Sequence, residues 1–459
     1  MASAVAGAVA GTAMIPAAAG AHGLSGLVQS PLPLAAYLGG AAVAVAVSFV
    51  LIAVGDPRPP RAIGEGAERT VPRPLRLVLR AAGLAAWAWV VAQTIAGGSS
   101  DADVASILLW SWGWVGLAIV CALIGPVWQW IDPFTTLHDL GAWVLRRTGV
   151  RGIEPAPLPA SLGSWPAVAG FAVIVWFELV ARVSSGRLLG LVLIGYTAVT
   201  LVGMAQYGRD IWRERGETFT VWFGVLGRMA HWAPVAATDG RRVRRQGMVE
   251  GLVGAEWPRE LVVLVALGVG AIIFDGLSQT RGYFDLFGMP GPLVSTVILA
   301  GGMVVLLLAV LAVARRTGLA AMGAGLLPVA LGYLIAHYLP SLLLESQRIV
   351  IAISDPLQQG WDLFGTAFYQ PGLDGIPVGL FWTIQVGAVV IGHVAGAWAG
   401  HVAARAHGGA GTGSPRTAQV ALAILMVALT TITLWSLGQA LVFDVAEGAA
   451  ALVRPVQGV

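Results

Sequence analysis

The stretch "PLVSTVILAGGMVVLLLAVLAVA", residues 292–314, contains no charged side chain. A helix of about 20 apolar residues crosses the hydrocarbon core of a bilayer, so this stretch predicts a transmembrane helix. The rest of the chain has the same character. Its 459 residues are 57% hydrophobic and 11% charged, whereas about 25% of residues are charged in a soluble domain. We therefore predict an all-α integral membrane protein.

Repeated apolar runs predict about ten transmembrane helices in one polytopic membrane domain, residues 29–459. The predicted spans are 33–54, 77–97, 106–130, 164–183, 188–207, 260–279, 292–314, 319–343, 378–402 and 418–443. Residues 1–28 form a separate segment with an apolar centre followed by small residues. They are either a signal peptide cut after Ala21 or an uncleaved, weakly apolar helix, and both alternatives stay open.

The placement of arginine predicts the orientation of the spans. All 27 basic residues are Arg, and 22 of them fall in or beside the alternate loops that begin with 55–76, whereas the opposite side has 5. Because cytoplasmic loops carry the excess of positive charge, the Arg-rich loops are expected in the cytoplasm. We predict a multi-pass protein of a bacterial cytoplasmic membrane, with an extracytoplasmic C-terminus. The arginines thus indicate topology and no nucleic-acid partner.

Two long loops follow from this topology. Loop 208–259 is predicted to be cytoplasmic and loop 344–377 extracytoplasmic. In the first, aromatic and aliphatic apolar residues from Trp212 to Met229 recur at helical spacing. They predict either an amphipathic helix in the membrane interface or a connector packed under the helical bundle.

A short internal similarity bears on the architecture. The segments beginning at Asp132 and Asp355 both read D-P-[FL]-x-x-x-x-D-L, and each follows the third span of a five-span half. Two inverted five-helix halves would give this arrangement, which is typical of transporters with a site between the repeats. The alternative is that Asp-Pro merely starts turns. Either way, the pattern predicts re-entrant or interfacial turns shaped by Asp132, Asp139, Asp355 and Asp362.

Polar and ionisable side chains inside the spans are the candidate functional residues, because such groups are costly in a bilayer. Four lie at a similar depth towards the Arg-poor side, namely Glu178, Asp275, His337 and Gln385. A fifth, Glu345 in "AHYLPSLLLESQ" (336–347), follows His337 by two helical turns. Together they predict a path for a small polar solute or an ion.

Each of these residues also has a purely structural interpretation. Glu178 could pair with Arg182 one turn further along the helix. Asp275 could cap a helix or loop. His337 could donate a hydrogen bond to a carbonyl freed by Pro340, which lacks the backbone N–H.

The leading functional hypothesis is a secondary transporter or permease for a small polar solute or ion, with proton coupling through the carboxylates and His337. The alternative is a membrane subunit of a redox or metal-handling system, with a quinone, haem or copper site and a larger membrane complex as partner. A third reading is a passive structural anchor. The sequence requires no cofactor, although a new N-terminus at His22 could bind Cu(II).

Several enzyme classes lack their motifs here. The chain contains no Lys and therefore no P-loop, and it has neither H-E-x-x-H nor G-x-S-x-G. The single Cys121 excludes a disulfide within one chain and any site built from several cysteines. An enzyme is the less favoured interpretation.

Overall fold

A computed structural model describes residues 66–98, 102–150, 154–183, 185–236, 240–373, 375–406 and 415–437, with residues 39, 152 and 238. The segment 1–28, with its possible copper ligand His22, and the predicted span 33–54 apart from residue 39 lie outside these residues.

Sixteen helices and one small sheet form the described part of the chain. Helices α1 to α8 are Arg73–Ala96, Ala105–Leu123, Trp128–Ile131, Pro133–Thr148, Trp165–Leu179, Gly186–Tyr207, Arg209–Arg215 and Thr218–Leu226. Helices α9 to α16 are Met248–Val253, Arg259–Ser278, Arg281–Phe287, Pro292–Thr317, Leu319–Gln347, Ile349–Ser354, Val378–Ala406 and Pro415–Leu437. The strands are β1 Glu68–Thr70, β2 Trp232–Pro234 and β3 Arg242–Arg245.

Nine helical segments within the described residues are long and apolar enough to cross a bilayer. They overlap the predicted spans from the second to the tenth, so the all-α, multi-pass membrane class is confirmed. The third span is shorter than predicted, because its helix ends at Leu123 and not at residue 130. The total number of spans and the division into two inverted halves stay predictions.

Helices α10 and α13 form the centre of the bundle. Of their most apolar 18 residues, 72% and 83% are buried, whereas the corresponding values for α1 and α12 are 6% and 17%. The exposed side chains of α12 include Leu293, Val297, Val305 and Leu308, as expected for a surface that lipid covers. Asp275 on α10 and His337 on α13 therefore belong to the two most enclosed helices.

Helix α13 continues beyond its predicted end at residue 343. It runs to Gln347 with Pro328 and Pro340 inside it, and α14 follows directly and ends at Ser354. The non-helical connection on this side consequently begins at Asp355 and not at residue 344. Glu345, predicted at the membrane surface, lies on the last helical turns and is buried.

The segment 208–259 packs into the bundle. Phe219, Trp222 and Phe223 on α8 are all less than 9% exposed, which agrees with the connector alternative and not with a helix lying in the interface. After α8, strand β3 pairs antiparallel with both β1 and β2. The carboxylate of Glu68 lies 2.5 Å from Arg242 and 2.7 Å from Arg244 and ties β1 to β3.

The two Asp-Pro segments fold differently. Asp132 caps α4 by accepting hydrogen bonds from the N–H groups of Phe134 and Thr135, and Pro133 occupies the first helical position. Asp355 instead accepts from the N–H groups of Gln359 and Gly360 in a series of turns. Asp139, predicted in a turn, lies inside helix α4.

Candidate functional site

Asp275 is the centre of a hydrogen-bonded group near the end of α10, three residues before the last helical residue. Its Oδ2 accepts a hydrogen bond of 2.9 Å from the Tyr338 hydroxyl and lies 3.0 Å from Nε2 of His337. Its Oδ1 accepts a 2.8 Å hydrogen bond from Nε2 of Gln279. With 5% of its surface exposed, this carboxyl is surrounded by polar partners and not by water.

Helical spacing explains how α13 supplies several of these groups. Tyr333 and His337 are four residues apart and therefore lie on the same face of the helix; their rings are 5.9 Å apart. The Tyr333 hydroxyl lies 3.0 Å from Oγ of Ser436 on α16. Three helices, α10, α13 and α16, thus meet at one polar locus.

Gly276 makes this meeting possible. A Cβ atom added there would lie 3.1 Å from the Tyr333 hydroxyl, 3.2 Å from Oγ of Ser436 and 3.5 Å from Cε1 of His337. Real side chains seldom pack so closely. Glycine beside Asp275 therefore lets α13 and α16 bring their polar groups against α10. We refer to Asp275, Gln279, Tyr333, His337, Tyr338 and Ser436 as the Asp275 cluster.

Glu178 lies beside the Asp275 cluster at the end of α5. Its carboxyl interacts electrostatically with the carboxyl of Asp275. Both carboxyls also interact electrostatically with the Tyr338 hydroxyl. Among the described residues, Glu178 has no hydrogen-bond or ion-pair partner, so the pairing with Arg182 that the sequence allowed is not formed. The site consequently holds two neighbouring carboxyls with one imidazole.

Gln385 forms a hydrogen bond with the backbone of α13 and none with Asp275. Pro340 has no N–H to donate to the carbonyl of Ala336, four residues earlier. The Nε2 of Gln385 on α15 donates a 2.6 Å hydrogen bond to that carbonyl. The carbonyl freed by Pro340 is thus satisfied by Gln385 and not by His337, and the bond fixes the backbone immediately before His337.

Glu345 belongs to a different group. It lies 3.3 Å from Nε of Arg348 and interacts electrostatically with Asp103. Eight residues separate it from His337, which is about 12 Å along a helix. Asp103 lies just outside α2, where burial raises the pKa of its carboxyl despite hydrogen bonds from Ser106 and Ala105. The five predicted path residues are therefore divided between the Asp275 cluster, its surroundings and this second group.

Buried carboxylates also occur on the Arg-rich side. Asp132 lies 3.4 Å from Nε of Arg213, and Glu217 caps α8 and accepts hydrogen bonds from Thr220 and Tyr196. Burial, followed by the nearby charge of Asp132, raises the pKa of the Glu217 carboxyl. Both residues begin a helix, so their hydrogen bonds give them a structural role.

Asp139 and Asp362 hold segments in place. Asp139 receives hydrogen bonds of 2.6 Å from Arg80 and 3.0 Å from Arg209, which join α1, α4 and α7. Burial opposes ionisation, but these hydrogen bonds outweigh it and lower the pKa of the Asp139 carboxyl. Asp362 accepts from the N–H of Ala367 and the hydroxyl of Ser354, which lower its pKa.

Sequence reasoning missed two of the three hydrogen-bonding partners of Asp275 described above, Gln279 and Tyr338. Gln279 is four residues from Asp275, a spacing that would have indicated the pair. Tyr338 adjoins His337 in the sequence, but only the crossing of α10 and α13 brings its hydroxyl to Asp275. Ser436, within the last predicted span, carries no sequence signal that distinguishes it from other helical serines.

Within the ranges the structure describes, no three His, Cys, Asp or Glu side chains are arranged to hold a metal ion. Comparison of the chain with protein-family models, curated proteins and solved structures finds no match.

Proposed function

We propose that this protein is a secondary transporter or permease for a small polar solute or ion, and that proton binding at Asp275 and His337 drives it. The observation that carries the proposal is the direct contact of Asp275 with His337 in the most enclosed part of the bundle, beside the carboxyl of Glu178. Two carboxylates without a full counter-charge are costly in a low-dielectric region. A proton or a cation at this point removes that cost.

The neighbouring groups suit a site that changes its protonation. Histidine gains or loses a proton near neutral pH. Protonated His337 would form an ion pair with Asp275, and the Tyr338 and Gln279 donors would stabilise the carboxylate when His337 is neutral. The His337 side chain is 10% exposed, so the bundle encloses its ring almost completely.

We further infer that the Arg-rich side is cytoplasmic, in accordance with the distribution of positive charge. Asp275 lies near the Arg-poor end of α10, so the Asp275 cluster would then be closer to the extracytoplasmic face. Protons would therefore reach Asp275 and His337 from outside the cell.

The experiment uses purified full-length protein in liposomes that contain a pH-sensitive dye. Amino acids, sugars and inorganic ions are added outside one class at a time, and internal acidification is recorded. We expect at least one class to cause acidification, and Asp275→Asn and His337→Gln to reduce its rate by about a hundredfold or more, a typical loss for a proton-transfer group. Glu345→Gln, a matched neutralisation outside the Asp275 cluster, should retain the rate.

Two results would contradict the proposal. Acidification that persists in both Asp275→Asn and His337→Gln would place proton movement elsewhere, and a wild type that responds to no class would argue against transport. An absorption spectrum with Fe and Cu analysis of the same sample tests the redox or metal-handling alternative.

A further inference from the structure

A second polar feature lies on the Arg-rich side, at the end of the membrane-spanning helix α2. Here a cavity of about 260 Å³ opens between α8, strand β2 and the segment after α2. The residues that line it include three aromatic residues, Trp128, Phe223 and Trp232, and Arg228 is the one cationic residue among them. None of these residues belongs to the Asp275 cluster.

Arg228 forms no ion pair with a carboxylate in the part of the chain that the structure describes. Its guanidinium stacks over the Trp257 ring at 4.2 Å, and its Nη1 is buried without a hydrogen bond. Burial lowers the pKa of Arg228 to about 10, and the negative charge of Glu256 opposes the shift. The side chain therefore remains a cation at neutral pH.

The backbone around Arg228 is held firmly, so the unpaired cation is not the result of a loose turn. Gln246 donates from Nε2 to the carbonyls of Gly227, Arg228 and Ala230. A Cβ at Gly251 would lie 2.0 Å from the Arg228 carbonyl, so α9 packs directly against this turn. A fixed guanidinium without a carboxylate is costly when buried, unless an anion from outside the chain pairs with it.

We propose that this cavity binds a phosphate group, with Arg228 as its cationic ligand. The planar guanidinium matches the oxygen geometry of phosphate. The cavity is smaller than most drug-sized sites, so one headgroup or one small phosphate compound fits its volume, and the aromatic rings provide an apolar wall. Two sources have this chemistry, an anionic phospholipid headgroup at the membrane surface and a soluble phosphate.

Two variants test separately the charge of Arg228 and the free volume of the cavity. Arg228→Met removes the cation but keeps an apolar side chain over Trp257. Gly224→Leu keeps Arg228 and fills the cavity, because a Cβ at Gly224, which lines the cavity on α8, meets no atom within 4 Å. The matched controls are Arg147→Met, which removes another arginine stacked on a tryptophan, and Gly195→Leu, at a second open helical glycine.

The full-length protein is purified in neutral detergent and mixed with phosphatidylglycerol, phosphatidylcholine or inorganic phosphate. Native mass spectrometry counts bound lipid, and thermal unfolding reports both probes. We expect wild type and both controls to bind one anionic probe. Each test variant should bind it about tenfold more weakly or not at all, Arg228→Met because charge-assisted hydrogen bonds are lost and Gly224→Leu because the added side chain occupies the space of the ligand.

The pattern of binding identifies the source. Selective retention of phosphatidylglycerol over phosphatidylcholine, lost in both test variants, indicates a lipid headgroup. Stabilisation by inorganic phosphate with the same dependence indicates a soluble ligand. If wild type binds neither probe, or if Gly224→Leu binds as wild type does, the proposal is overturned; because Gly224→Leu retains Arg228, this criterion holds even if Arg228→Met fails to fold.

Discussion

At the scale of single residues, Gln385 compensates for a backbone defect that Pro340 creates. The carbonyl of Ala336 loses its helical partner at Pro340, and the amide of Gln385 on α15 supplies a donor at 2.6 Å. Gln385 is 5% exposed, so water is a poor substitute for this donor. An unsatisfied buried carbonyl costs about 1–3 kcal/mol.

We predict that Gln385→Leu destabilises the protein by about 1–3 kcal/mol, measured by thermal unfolding in detergent. Pro340→Ala should reduce this cost, because alanine restores the N–H that donates to Ala336 within the helix. The double variant Pro340→Ala/Gln385→Leu completes a thermodynamic cycle. An equal cost of Gln385→Leu with and without Pro340 would show that Gln385 serves another purpose.

The ionisation of Asp139 predicts how the stability of the protein depends on pH. Its pKa is lowered in the folded state because the Arg80 and Arg209 hydrogen bonds outweigh burial. The stability it contributes is therefore fully present above the usual aspartate pKa and is lost as the pH falls through the lowered value. Since 31% of the Asp139 side chain is exposed, solvent screening limits the effect to on the order of 1 kcal/mol.

Asp139→Asn should accordingly lower the unfolding temperature by a constant amount between about pH 8 and pH 5, and the difference should shrink only below about pH 4. Asp285→Asn is the control, because Asp285 is exposed and lies 3.8 Å from Arg281. A difference that already disappears between pH 7 and pH 5 would mean that another group titrates.

The sequence could indicate Asp275 and His337 but not their partners. A charged group in an apolar run is visible in one dimension, and counting residues from the helix ends places it in depth. Which helices face each other depends on packing between segments far apart in the chain, so the contact of Tyr338 with Asp275 and that of Tyr333 with Ser436 were inaccessible. The same reason explains why Glu345, at the correct helical spacing from His337, pairs with Arg348 instead.

At the scale of elements, helix positions were predictable and local turns were less so. Hydrophobic length fixes a span, which is why the second to tenth predicted spans agree with the helices. The likeness of the Asp132 and Asp355 segments did not extend to structure. Pro133 starts a helix after the Asp132 cap, whereas Gly360, with φ 80°, takes a left-handed turn five residues after Asp355.

The contact of α13 with α15 depends on glycine residues in both helices. A Cβ at Gly396 would lie 2.3 Å from the Gly325 carbonyl, and one at Gly332 would lie 2.4 Å from the Ala388 carbonyl. In a bilayer, where helices gain little from hydrophobic burial, such close backbone approach is a main source of association. A Cβ at Gly387, also on α15, would meet no atom within 4 Å, so this glycine faces open space.

We therefore predict that Gly396→Ala destabilises the protein by roughly 1–3 kcal/mol, because the backbones of α13 and α15 must separate. Gly387→Ala should leave stability unchanged within about 0.5 kcal/mol, since it adds the same methyl group outside the contact. Thermal unfolding of both variants in one detergent is the measurement. Similar unfolding temperatures for the two variants would show that the close packing at Gly396 does not contribute to stability.

At the scale of the whole molecule, the charge distribution and the position of the Asp275 cluster make one joint prediction. Cys121 is fully buried, so the wild type should not react with a membrane-impermeant maleimide. Maleimide labelling of an added cysteine can therefore be measured without background. Gln359→Cys, on the Arg-poor side, should be labelled in intact bacterial cells. Thr148→Cys, on the Arg-rich side, should be labelled only after the membrane is permeabilised, because Arg-rich loops stay in the cytoplasm. The reverse pattern would place the Asp275 cluster near the cytoplasmic face, and protons would then have to enter it from inside the cell.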